Sequence, residues 1–192
     1  LQSVTFYKKD KGDEIADYSK NYQVGTMTVK STSVFFYNPL SGDTEYKRAN
    51  DADSESSMVT SLSYKDEKTV TDSTAFYNAD NTINNLIQLT SETHYYGTTK
   101  GEEIADYAYN YSTKKDADSG DYIASTPKTT SVYYYGNSLR ASNSLVTSES
   151  AMTSSETYKT TSIGSIDKVL ETTGAISLPN LQSVTFYKKD KG

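Results

Sequence analysis

Residues 100–111 read KGEEIADYAYNY and residues 11–22 read KGDEIADYSKNY, and comparing these two stretches decides the fold. Taken alone, the first copy suggests a helix: Ile15, Tyr18 and Tyr22 fall at i, i+3 and i+7, with Asp13 placed to cap it. The second copy removes that reading, because Tyr107, Tyr109 and Tyr111 alternate strictly along the chain. Period two belongs to an extended strand, whose side chains point in turn to opposite faces. Segments related by duplication share one conformation, so both copies are read as strands.

The duplication extends well beyond these twelve residues. TSVFFYN at Thr32–Asn38 returns as TSVYYYG at Thr130–Gly136, and ESSMVTSLSYK at Glu55–Lys65 returns as ESAMTSSETYK at Glu149–Lys159. The blocks keep their order while their offsets drift between 89 (Lys11 to Lys100) and 98 (Thr32 to Thr130), as loop insertions in a repeat protein would make them do. A larger period encloses this one. LQSVTFYKKDKG at Leu1–Gly12 recurs unchanged at Leu181–Gly192, an offset of 180. The chain is therefore divided into a first half-repeat at 1–89, a second, diverged half-repeat at 90–180, and the opening of another 180-residue period at 181–192. This is the pattern expected of a window cut from a longer tandem array, and a chain opening at Leu1 is expected to have lost its true start.

Within each half a shorter motif recurs: Ser or Thr, a hydrophobe, two or three aromatics, then Gly, Asn or Lys. SVTFYKKDKG, TSVFFYNPLSG, STAFYNADN, SETHYYGTTKG and TSVYYYGNS are its instances. Val4 and Phe6 share one face of the implied strand, Thr5 and Tyr7 the other; the turns follow at Pro39–Leu40–Ser41–Gly42, Gly97 to Gly101 and Gly136–Asn137–Ser138. Further strands are expected at Thr26–Lys30, Met58–Tyr64, Tyr122–Ser125 and Ala151–Tyr158, and the best helix candidate, Ser165–Glu171, is short. The expected fold is all-β: an elongated tandem-repeat array of antiparallel β-hairpins, a β-solenoid or spiralling sheet, with few or no helices.

Composition agrees with a thin structure. Hydrophobic residues make up 34%, mean hydropathy is −0.69, and 18 Tyr stand against 5 Phe and no Trp. Ser and Thr together form roughly a quarter of the chain, above ordinary usage. Low hydrophobicity with a net charge of −6 can signal disorder, but the abundance of Tyr, Thr and Val, all strand formers, argues for order. The absence of Cys excludes a disulfide framework and thiolate metal sites. No apolar run approaches the ~18 residues of a membrane helix, and the acidic balance argues against nucleic acid.

The aromatic strand with its turn, YYYGNSLRAS at Tyr133–Ser142, resembles the Tyr-rich β-hairpin tandem repeats of giant bacterial surface and secreted proteins, and is loosely similar to YD-repeats. In those repeats an aromatic strand is followed by a turn and a Gly-Arg-hydrophobe step. The resemblance covers most of the chain and implies long spiralling β-sheets, either closed as shells or extended. The chain departs from the pattern at the YD dipeptide, where it has Tyr135–Gly136 and Tyr77–Asn78. A shell enclosing a toxin is thus less supported than an extended structure.

Chemistry-bearing motifs are few. The one histidine is set opposite Thr5 by the 89-residue offset, and opposite Thr185 in the next period, so it is read as a surface strand residue. Gly-x-Ser-x-Gly, P-loop and GxGxxG motifs are missing, and the carboxylate pair Glu102–Glu103 repeats Asp13–Glu14 as part of the scaffold. No catalytic or cofactor residue is assigned, and an enzyme is not expected. The alternating carboxylates Asp116, Asp118 and Asp121, and Asp51, Asp53 and Glu55, are candidate calcium ligands, although a solvated acidic loop is the favoured reading. Ser/Thr abundance is read as outward-facing strand surface rather than as O-glycosylation; Asn110–Tyr111–Ser112 is one N-glycosylation sequon.

The expected function is structural: a repeat segment of a long extracellular or cell-surface bacterial fibre, stalk or sheath, assembled by continuous strand pairing. Its partner is itself, through neighbouring repeats or end-to-end and lateral assembly. The junction strands are Val4, Phe6 and Tyr7 with Val184, Phe186 and Tyr187. The alternatives are a piece of a YD-type toxin shell or an adhesin repeat that binds glycans or cell surfaces. The adhesin would use Tyr107, Tyr109, Tyr111, Tyr133, Tyr134 and Tyr135, and requires those rings to be exposed.

Overall fold

Strand-forming Thr, Val and Tyr in alternation, punctuated by Gly and Asn, produce ten strands among the described residues, joined by turns and long loops. The computed structural model describes residues 1–39, 42–72, 74–164, 166 and 180–187. The strands are β1 (Ser3–Lys8), β2 (Ile15–Tyr22), β3 (Val29–Tyr37), β4 (Met58–Lys65), β5 (Leu89–Tyr96), β6 (Ile104–Ser112), β7 (Thr126–Tyr135), the two-residue β8 (Leu139–Arg140), β9 (Met152–Tyr158) and β10 (Leu181–Phe186). All belong to one antiparallel sheet in the order β1-β2-β3-β4-β5-β6-β7-β9-β10, with β8 beside β7. Apart from the short β8, which lies beside β7 alone, each strand pairs with the next one along the chain, the simplest topology for strands separated by local connections. The sheet is open, ending at β1 on one side and β10 on the other.

Both copies of the ambiguous segment are strands, β2 and β6, as the alternating copy requires. Other expectations need adjustment. Thr26–Lys30 is not a strand of its own: Thr26 closes a turn by donating to the Gln23 carbonyl, and only Val29 and Lys30 enter β3. Around Tyr122–Ser125 there are isolated bridges alone, Lys115 to Tyr122 and Ile87 to Ala124. STAFYNADN likewise contributes one bridge, Tyr77 to Ile83, because Phe76 turns inward as a buried core ring. The turn residues Leu40 and Ser41, the helix candidate Ser165–Glu171 apart from Ile166, and residues 188–192 of the second LQSVTFYKKDKG lie outside the described residues.

A sheet one layer thick needs covers, and the long connections supply them. The β4–β5 connection lays Phe76 over Val34, Phe36, Leu62, Tyr64 and Leu89, with Tyr46, Tyr77, Ile83 and Leu86 packed around them. Phe36 meets Tyr77 edge to face at 4.8 Å between centroids, and Tyr46 meets Tyr77 in the same way at 5.3 Å. The β3–β4 connection brings Ala49 and Ala52 onto Ile15 and Tyr37. In the second half Val132, Tyr134 and Tyr158 pack with Ile166, Ile163 and Leu181. Edge-to-face aromatic pairs contribute ~0.5–1.5 kcal/mol each beyond their burial, which suits a chain short of aliphatic residues.

The buried rings give the fold a particular response to alkali. Burial pushes the Tyr135 phenol up to about 12 and raises Tyr37, Tyr64, Tyr77, Tyr134 and Tyr158 as well. A phenol whose folded value lies above its unfolded value of ~10 contributes stability below pH ~10 and loses it as pH rises through the folded value. Tyrosinate absorbance of the buried rings should therefore rise only together with loss of sheet circular dichroism, at or above pH 12. A single phase near pH 10 without unfolding would contradict this packing.

Candidate functional site

The backbone registers single out one recurring arrangement, a junction between strands. β1 pairs with β2 through Thr5–Ser19 and Phe6–Tyr18, then shifts by a bulge to Tyr7–Ala16. β5 pairs with β6 through Thr93–Ala108 and His94–Tyr107, then shifts by a bulge to Tyr95–Ala105. The two registers coincide when β1 is advanced by 88 residues and β2 by 89, the extra residue falling in the longer β5–β6 turn. On its other side β5 pairs with β4 through Thr60–His94, Ser61–Thr93 and Leu62–Glu92. β10 repeats that side against β9, through Ser154–Phe186, Ser155–Thr185 and Glu156–Val184. Among the described residues β5 thus carries both interfaces, whereas β1 has only the following one and β10 only the preceding one.

This register corrects the reading of the histidine. His94 stands where Phe6 stands and not where Thr5 does, and it is not a surface residue: its side chain is 17% exposed. It stacks on Tyr107 at 4.5 Å and 16°, as Phe6 stacks on Tyr18 at 4.4 Å and 14°. The drifting offset within the turn hid the equivalence. His94 Nε2 lies 3.4 Å from Oε1 of the buried Glu92, which also accepts the Tyr77 hydroxyl at 2.8 Å. These groups fill an internal junction position that is Val4 and Phe6 in β1, and Val184 and Phe186 in β10.

Polar contacts are duplicated around these strands. Asp17 Oδ1 accepts from Arg48 Nε at 3.0 Å and from a terminal guanidinium nitrogen at 2.6 Å. Asp106 takes a two-pronged contact from Arg140 at 2.8 and 2.7 Å. The Tyr37 hydroxyl donates to the Ala16 carbonyl, and the Tyr135 hydroxyl to Ala105 at 2.6 Å. Thr32 Oγ1 donates to the Asp66 carbonyl at 3.2 Å, and Thr130 Oγ1 to that of Thr160 at 2.7 Å. Arg48 also lies 5.3 Å over the Phe76 ring, tying its loop to the core. The arginine–aspartate pairs went unassigned in the sequence, although KRAN at 47–50 and LRAS at 139–142 carry them in aligned blocks.

One carboxylate clasps the two halves together. Glu103 Oε1 accepts the Met58 amide at 2.7 Å and its Oε2 accepts the Gly101 amide at 2.8 Å. Gly97, at φ 139°, makes room for this turn: a Cβ there would stand 3.0 Å from the Glu103 Cα. The first-half counterpart Glu14 accepts the Gly12 amide at 2.8 Å and remains exposed. Its own amide and that of Gly12 hold the Glu14 carboxyl below the usual range.

The acidic loops do not converge on a cation. Asp116 accepts the Asp118 and Ser119 amides, which lower its pKa with the Ser119 amide foremost, and Asp53 accepts the Glu55 amide. Asp51 takes the side-chain amide of Asn50, while Asp118 and Asp121 are exposed members of the same turn as Asp116. Among the described residues no three His, Asp or Glu side chains are placed to hold a metal ion. The six tyrosines of the candidate binding face are not an exposed patch: Tyr134 and Tyr135 are buried, and Tyr107, Tyr109, Tyr111 and Tyr133 are half-buried. Of the junction residues, Val4 and Val184 are half-buried whereas Phe6, Tyr7, Phe186 and Tyr187 are exposed.

No protein-family model, curated protein or solved structure matches the chain.

Removing one member of a buried ion pair leaves the other charge uncompensated, at a cost of ~3–5 kcal/mol, whereas replacing both by apolar groups is close to neutral. Arg48→Met should therefore lower unfolding stability by about that amount in urea titration, and Asp17→Leu with Arg48→Met should restore most of it. A double variant as unstable as the single one would refute this role for the pair.

Proposed function

We propose that this chain is a structural repeat of a long extracellular bacterial fibre, stalk or sheath, in which successive repeats continue one sheet by strand pairing. The observation that carries the reading is β5. It is paired on both edges in the registers that β1 and β10 each complete on one edge only. The identity of Leu1–Gly12 with Leu181–Gly192 supports the same continuity, because a strand of this sequence fits a β9-type neighbour and a β2-type neighbour alike. Stability in such an array is a sum of repeat and nearest-neighbour terms, so length is added without redesigning a core. The burial of Tyr134 and Tyr135 supports a scaffold over an adhesin, since those rings are spent on internal packing. The extended arrangement of the resemblance at Tyr133–Ser142 fits an open sheet better than a closed shell does.

The reading is tested with a chain in which residues 1–180 are repeated twice and closed by 181–192. A continuous sheet predicts one cooperative urea transition with a higher midpoint than the 192-residue chain and a denaturant slope nearly twice as steep. Two independent transitions at the single-period midpoint would refute it.

A further inference from the structure

The two end strands differ from β5 in one respect. The Gln2 carbonyl accepts the Tyr22 amide, so in the alternation of a strand Gln2, Val4 and Phe6 turn their backbone groups toward β2. In β10 the Tyr187 amide donates to the Thr153 carbonyl, which places Tyr187, Thr185 and Ser183 toward β9. Gln182, Val184 and Phe186, the counterparts of Gln2, Val4 and Phe6, therefore point their amides and carbonyls to the outer edge. The bonding edge that β1 uses for β2 is the edge that β10, among the described residues, leaves open. The side chains match as well: Phe6, stacked on Tyr18, is 38% exposed, whereas Phe186, with no such ring beside it among the described residues, is 77% exposed.

We propose that β10 of one molecule docks on β2 of a second copy of this chain, displacing that copy's β1 and pairing Ser183 with Asn21, Val184 with Lys20, Thr185 with Ser19 and Phe186 with Tyr18. This rests on the array reading above and adds that the junction forms between separate molecules. Every β1–β2 contact over this stretch is recovered, because the incoming strand has the sequence of the departing one. The exchange also supplies the stack that Phe186 lacks. It brings the exposed Glu14 of the second copy to the place beside Met152 that Glu103 holds beside Met58 within one chain. Since each copy offers one β10 and one β2, the contact is heterologous and propagates head to tail. β4, β5 and β6 are the intramolecular precedent, so no new type of interface is needed.

Register-specific cross-linking tests this on the full chain, which has no cysteine of its own. Thr5–Ser19 is a non-hydrogen-bonded pair, so Thr185–Ser19 across two copies would be one too. The Cα atoms of such pairs lie ~4.5 Å apart, within disulfide range. Within one molecule the two positions are seven strands apart, on the order of 30 Å at the usual strand spacing, and cannot join. Oxidation of the Ser19→Cys/Thr185→Cys variant should give a ladder of linear multimers, at least tenfold more than the out-of-register Ser19→Cys/Ser183→Cys variant. Free LQSVTFYKKDKG peptide should shorten that ladder by occupying β2. Equal ladders from the two variants, or no ladder from the first, would overturn the exchange. A two-period chain that unfolds as one unit while Ser19→Cys/Thr185→Cys stays monomeric would overturn the exchange and leave continuity along one chain standing.

Discussion

Pairing a strand in a fixed register on both of its edges is the constraint on which the rest of the molecule depends. Side chains in a sheet alternate with period two, so a slip of one residue would turn Val34 and Leu62 to solvent and bring Ser33 and Ser63 inward. Both valine and leucine are fully buried, while Ser33 and Ser63 bond to each other across β3 and β4 at 3.3 Å. Ser131 and Thr157 repeat that contact at 3.1 Å across β7 and β9. These hydroxyl ladders explain why a chain so rich in Ser and Thr forms an ordered sheet: each pair sits where cross-strand neighbours meet, and one face is closed by rings and aliphatic groups.

Register is in turn pinned from outside the strands. The β3–β4 loop carries Arg48 to Asp17 on β2, and the β7–β9 connection carries Arg140 to Asp106 on β6. Each ion pair fixes a connection against the strand beside the one it leaves, and each is accompanied by a tyrosine hydroxyl on a carbonyl of that same strand. Bulges recur after Phe6 and after His94, at matching points of β1 and β5, so the local twist is duplicated along with the contacts. Divergence between the halves has gone into what fills a position, as Glu92 and His94 against Val4 and Phe6 show. What the position does has been kept.

Much of this was legible in the residues. Strict alternation in Tyr107, Tyr109 and Tyr111 settled the strand conformation of β2 and β6, and the aligned blocks located β3, β4, β7 and β9. Less was legible where the chain folds back on itself. STAFYNADN has the aromatic motif of a strand, yet Phe76 serves as a lid, because whether an aromatic segment pairs or covers depends on the sheet beneath it. The arginine–aspartate pairs join residues 31 and 34 positions apart, a separation that no local pattern marks. His94 was misplaced by one residue because the extra residue in the β5–β6 turn is invisible until the bulges are aligned. In the acidic stretches, read from the sequence as solvated loops first and calcium ligands second, Asx-type turns engage Asp53 and Asp116 with backbone amides.

On the proposed reading, β5 is the completed form of a junction that β1 and β10 each half make. Amide hydrogen exchange resolves it residue by residue. In a dilute solution of the 192-residue chain, Glu92 and His94 should be strongly protected by β6, while Val184 and Phe186, at the same positions of β10, should exchange at nearly the rate of an unstructured peptide and gain protection as concentration rises. Equal protection of the two pairs in dilute solution, or open exchange at Glu92 and His94, would contradict the account.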